Sequence, residues 1–231
     1  MSSISQLVSE LSHAIGQPNN YALRENLKLL IVHTRNELIR RSYENHSYID
    51  KGLTQRYKVS LQEITDGEIE LPEDNELTLD DLGLTNIKRT VQKVPRPIRL
   101  TNNLPFDRVS SVGFKTNKII PFIKESSARF RDYLPGMCST SCYDYINGYI
   151  YIFPPTNRTF DAGKICIESA FEHPNIIEIE NGEIDSIDAE IGDNEWLISE
   201  DMIGNIKDII YKRDLISNIR NTNEVPNEIK F

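Results

Sequence analysis

Cys138, Cys142, Cys166 and His173 are the residues whose types could assemble a metal centre, since three thiolates and one imidazole make a Cys3His zinc site. The CSTSC spacing of the first pair suits zinc, but Cys-x6-His is irregular for a second half and falls in a strand pattern. Without metal, the same cysteines read as small buried thiols, and their odd number argues against a disulfide framework. The remaining histidines, His13, His33 and His46, are scattered. Nucleophilic catalysis needs a base and an orienting carboxylate beside a Ser or Cys, and neither a G-x-S-x-G elbow nor a papain-like cysteine context is present. Gly163-Lys164 lacks the preceding glycine of a phosphate-cradling loop. Asp185, Asp188 and Asp193 are the acids a two-metal nuclease could use, yet they sit in a run that reads as solvated surface. The expectation is therefore a protein with no enzymatic activity, cofactor or metal.

Charge segregation carries more information. Within a net charge of -9, residues 60–87 hold nine acids and no Lys or Arg, residues 88–131 hold eleven bases against two acids, and residues 168–201 hold twelve acids and no Lys or Arg. A net acidic chain is a poor general nucleic-acid binder, because affinity there rests on neutralising phosphates. The basic block, with Lys88, Arg89, Lys93, Arg96 and Arg99 interleaved with prolines, is the best partner-binding candidate. Its partner is either a polyanion or the acidic block of a neighbouring copy.

The elements that must position these groups can be read from periodicity. Ser3-Ile4-Ser5-Gln6 has capping-box spacing before Leu7, Leu11 and Ile15, and Gly16 with Pro18 stops that helix. Asn19 or Asn20 caps a second helix with Leu23, Leu27, Leu30, Ile31 and Leu38 on one stripe. Its continuation through Arg40, Arg41, Ser42, Glu44, Asn45 and His46 is too polar for a core helix, before apolar positions resume at Ile49, Leu53 and Tyr57. From 60 to 100, turn residues punctuate short apolar pieces and suggest an extended arm. From 101 the period becomes two. CYDYI-NG-YIYIF predicts a hairpin about Asn147-Gly148, with further strands in 108–115, 163–171 and 176–184 and a second turn at Asn181-Gly182. Ser199 then caps a last helix with Glu200 and Asp201 in its first turn, Lys212 and Arg213 in its last, and Met202, Ile206, Ile209 and Ile210 as its stripe.

ELIRRSYENHSYIDKGLTQRY at 37–57 resembles the N-terminal signature of ring proteins from the head-to-tail connector of crAss-like, podovirus-type phages. LPFDRVSSVG at 104–113, NGYIYIF at 147–153, SAFEHP at 169–174 and EDMIGNIKDII at 200–210 resemble its later blocks in the same order. The fold expected is α+β: a helical domain built from both chain ends, with an inserted antiparallel β-sandwich or barrel and an extended arm. Its parts are helices in 1–59, an acidic-then-basic arm in 60–100, the β domain in 101–195, a packing helix in 196–217 and a C-terminal arm in 218–231.

What the resemblance implies is a virion structural protein, made in the host cytoplasm, that forms a twelve-fold ring below the portal and extends the DNA channel into the tail. It would contact the portal and other tail proteins, and let packaged DNA pass without sequence-specific binding. Arg40, Arg41, Tyr43 and Asn45 are the expected subunit or portal contacts, joined by Arg96 and Arg99 of the basic block and by Ile229 and Phe231 of the terminal arm. No run of 18 apolar residues and no basic, apolar leader are present, so neither a membrane span nor a secretory signal is expected. The rival from another class is a DNA-binding or nuclease-like accessory protein using residues 88–131.

Overall fold

The computed structural model describes residues 3–64, 86–112, 118–124, 127, 130, 133, 140–155, 159–174, 178–180, 183–186 and 198–215. The chain divides into two compact units, one formed by Met1–Leu53 with Ile191–Phe231, the other by Thr54–Glu190.

In the first unit, α1 (Ile4–Ala14) begins where Ser3 Oγ accepts from the Gln6 amide at 3.1 Å. The Gln6 side chain donates onward to Glu10. Gly16, at φ 76°, lies just beyond the helix, in the left-handed conformation that glycine adopts at little cost. Helix α2 (Tyr21–His46) is capped by Asn20, whose Oδ1 accepts from the Leu23 amide, and ends at Ser47 in the left-handed region. Helix α3 (Glu200–Ile209) follows Ser199, whose side chain makes no capping bond, and passes into a π-helical segment, Ile210–Leu215. Ile4, Leu7, Val8, Leu11, Leu27, Ile31, Val32, Ile206 and Ile210 form the shared core, which ties the start of the chain to its last helix. Ile209, expected on the buried stripe, is only half-buried.

The second unit is an antiparallel sheet organised about β1 (Gln55–Glu63). Its first six residues pair with β6 (Lys164–Ser169), and its last three with β2 (Lys88–Thr90). Outward on one side lies β3 (Arg108–Ser111). On the other lie β5 (Tyr149–Phe153) and β4 (Cys142–Ile146), giving the order β3-β6-β1-β2-β5-β4. β4 and β5 form the expected hairpin, with Asn147 and Gly148 at φ 52° and 89°, the positive values a type I′ turn requires. A short hairpin, β7 (Glu178–Glu180) with β8 (Glu183–Ser186), joins β1 through β8; its turn residues Asn181 and Gly182 lie outside the described residues.

Both outer strands of the six are bonded to one segment, residues 118–124. The Ser111 amide donates to Lys118 O and the Ile120 amide to Val109 O, while the Tyr143 amide donates to Pro121 O and the Ile123 amide to Tyr143 O, all at 2.9 to 3.0 Å. This seam joins β3 to β4. The core behind it contains Tyr57, Val59, Phe106, Val109, Ile120, Tyr143, Ile150, Ile152, Ile165, Ile167 and Phe171. β5 is covered on its other face as well, where Tyr151 and Phe153 pack with Ile64, Ile87 and Cys142.

The architecture is thus α+β with an antiparallel sheet, and it departs from the sequence reading most between residues 47 and 100. Helical spacing of Ile49, Leu53 and Tyr57 suggested helix to residue 59. The chain instead leaves α2 at Ser47, makes one 3-10 turn at Lys51–Leu53 and becomes β1, in which buried Tyr57 and Val59 alternate with exposed Arg56 and Lys58. The period-two signal was there, but only four residues long before Ser60. The described parts of 60–100 also lie in or against the sheet, as the end of β1, as β2 and as the buried residues Ile87, Val94, Ile98 and Leu100. Residues 65–85 and the C-terminal 216–231 lie outside the described residues.

Candidate interaction surfaces

Helix α2 divides along its length. Leu27, Ile31, Val32 and Ile39 are buried, whereas Arg40, Arg41, Ser42, Glu44, Asn45 and His46 are exposed and Tyr43 is half-buried. About two turns therefore present polar side chains to solvent on nearly every side. The structure brings the expected Arg40, Arg41, Tyr43 and Asn45 together on these turns. Arg41 reaches back to Glu37 at 2.6 Å, His46 Nδ1 lies 3.0 Å from Ser42 O, and the exposed Tyr48 ring meets His46 edge-on. Beside them Leu38, Arg41, Asn205, Asp208, Ile209 and Lys212 line an open groove of about 490 Å³ between α2 and α3.

Arg35 was not anticipated. It is wholly buried, its Nη1 donating to Asn36 Oδ1 at 3.0 Å, and loss of hydration lowers its pKa to about 10, which leaves it charged at neutral pH. The signal was present in the four-residue spacing of Leu27, Ile31, Arg35 and Ile39, which places a cation on the apolar stripe.

In the second unit the basic block separates into two environments. Lys88 and Arg89 belong to β2 and are half-buried: Lys88 lies 3.5 Å from Glu63, and the Arg89 guanidinium sits 4.6 Å over the Tyr149 ring. Lys93, Arg96 and Arg99 are exposed. They alternate with buried Val94, Pro97 and Ile98 on a segment fixed by backbone bonds from Val94 N to Gly148 O, Ile98 N to Ala170 O and Glu172 N to Arg96 O. The proline-rich stretch is consequently a rigid cationic strip.

The two described cysteines, Cys142 and Cys166, do not converge. Cys142 on β4 is enclosed with Phe153 and Ile64, whereas Cys166 on β6 accepts a 3.0 Å bond from Arg56 Nε, and three strands separate β4 from β6. That bond, the first cause, raises the Arg56 pKa above its ordinary value. Cys138 lies outside the described residues, and among those described no group of three His, Cys, Asp or Glu could hold a metal ion. Ile229 and Phe231 are likewise outside them. Among the described residues no helix is long and apolar enough to cross a membrane.

Residues 6–230 match the family model described as phage tail ring protein 2, of the crAss-like ring proteins. No curated protein matches the chain.

Proposed function

Because the chain belongs to the phage tail ring protein 2 family, and so to the structural parts of a phage tail, we propose that it is a connector subunit whose closed ring docks below the portal and carries the DNA channel toward the tail. The observation that supports this reading is α2, a 26-residue helix with a buried apolar half and about two terminal turns that leave Arg40, Arg41 and Asn45 in solvent. A helix extended past its own core makes sense where a neighbour completes its surroundings. Ring closure requires two different, complementary faces on each subunit, and segregated acidic and basic blocks supply that difference. An acidic surface toward the lumen would repel phosphates and let DNA slide, since like charge removes the contacts that create affinity. The ring is expected to be twelve-fold, to contact the portal and neighbouring tail proteins, and to have no catalytic step.

Electron microscopy of the purified full-length protein, with gold labelling of its tag in assembled particles, tests the proposal. Closed rings and label at the head-tail junction are expected. Label elsewhere on the particle, or protein that never closes into rings, would reject it. A salt-dependent gel shift addresses the DNA-binding rival, for which tight binding near physiological salt is the required result.

A further inference from the structure

The residues that flank the acidic segment and the far end of the basic strip lie toward opposite ends of β1. Residues 65–85, with eight acids and no Lys or Arg, connect Ile64 to Asn86. Their roots are fixed by the Ile64 amide bonded to Ile87 O and by the pairing of Glu63 with Lys88, at the C-terminal end of β1. Antiparallel neighbours usually connect through about 2–5 residues. A connection of 21 residues is far more than that turn needs.

The cationic strip lies at the other end. Leu61 pairs with Thr90, so the chain after β2 runs back toward the start of β1; Gln55 pairs with Ser169, and Pro97 bridges Phe171 just beyond. Eight residue steps along β1 separate Gln55 from Glu63, or about 26 Å at strand rise. Exposed Arg96 and Arg99 therefore stand about one strand length from the root of an eight-acid segment, with exposed Lys93 between.

We propose that the acidic segment 65–85 of one copy docks on the Lys93–Arg96–Arg99 strip of the next, a head-to-tail contact of opposite charge. Poles that differ in sign cannot pair face to face with themselves, so each copy offers an acceptor and a donor, as ring closure demands. This rests on the ring reading for its biological setting, but the docking can be measured without a ring.

A fluorescent peptide of residues 65–85, titrated onto dilute full-length protein, should bind with affinity that falls as salt rises. Arg96→Glu with Arg99→Glu should weaken it by about tenfold or more, while Lys118→Glu with Lys124→Glu, an equal charge change on the seam, should not. Should the Glu pair unfold the chain, Arg96→Gln with Arg99→Gln reads the same loss at smaller amplitude. A peptide that does not bind, binds the strip variant equally, or is displaced by duplex DNA at equal charge concentration would overturn the proposal whether or not rings form. Peptide binding to a chain that never closes into rings would instead reject the ring reading alone. The second arm mixes two full-length variants, Arg96→Glu with Arg99→Glu and Glu73→Lys with Asp74→Lys and Glu76→Lys. Each alone should lose self-association in sedimentation, and an equimolar mixture should regain it. Recovery only when both sets lie on one chain would make the contact internal and overturn the proposal.

Discussion

Glu10 of α1 accepts a hydrogen bond from Lys207 of α3, joining positions 197 residues apart in sequence. Both groups are partly exposed, and the bond lowers the Glu10 pKa below the ordinary glutamate value. A depressed carboxylate stabilises the fold above its unfolded-state pKa and loses that contribution as pH falls through the folded-state value. Urea unfolding of Glu10→Gln should therefore show a loss below about 1 kcal/mol at pH 7 that vanishes near pH 3. An equal loss at both values would assign the effect to something other than this ion pair.

Arg35 leads to an opposite sign. Its folded-state pKa of about 10 lies below the ordinary arginine value, so the desolvation burden is constant at neutral pH and eases only above pH 10. Replacing a buried charge by an apolar side chain of similar length is often neutral or stabilising by about 1–4 kcal/mol. Arg35→Met should hold or raise the melting temperature, and Arg35→Ala, which leaves a cavity, should lower it. A Met variant that melts far below the native chain would show that the bonds made by the guanidinium outweigh its desolvation.

Arg40→Ala with Arg41→Ala should leave the stability of the isolated subunit within about 0.5 kcal/mol, because both side chains are exposed and the Arg41–Glu37 pair is a surface one. Self-association should nevertheless fall. A large drop in melting temperature would place these arginines in an internal network.

Phe106 is 2% exposed and its ring lies 5.0 Å from Tyr145, 6.2 Å from Tyr143 and 6.5 Å from Phe171. Phe106→Ala should destabilise the second unit by about 3–5 kcal/mol, with the loss read in near-ultraviolet circular dichroism and denaturant midpoint. A change under 1 kcal/mol, within the range of surface substitutions, would contradict a core role.

Deletion of residues 219–231, which include Ile229 and Phe231, should leave a folded, soluble subunit that no longer joins the connector. The expected anchor is weak singly and strong by repetition around a ring, since docking of one arm raises the effective concentration of the rest. Truncated protein that still enters infectious particles would remove the arm from the assembly.

Much of this arrangement is visible in the chain because local signals agree. Ser3 and Asn20 cap where their side chains can reach an amide, and Asn147-Gly148 turns where positive φ is required. Long-range pairing is less legible. The alternation in QRYKVSLQE is too short to distinguish a strand that pairs with residues 164–169 from the end of a helix, because that choice is made by β6, not by β1. The basic block could be read in order but not placed, since the end of β1 at which Arg96 and Arg99 lie is a property of strand direction. Arg35 is legible only as the polar member of the Leu27, Ile31 and Ile39 stripe, and a cation at such a position is ordinarily solvated.

The seam at 118–124 has a consequence for how many copies can live side by side. A bare strand edge is a template on which another chain can add strands without limit, and a ring holds such edges at very high mutual concentration. Here β3 and β4 each spend an outward amide and carbonyl on that seam, the Tyr145 amide is taken by the Asp144 side chain, and the outlying β7 is three residues long with glutamates at 178 and 180. Backbone-mediated fibre growth is thereby discouraged, and recognition between copies is left to side chains, whose geometry can stop at a fixed number.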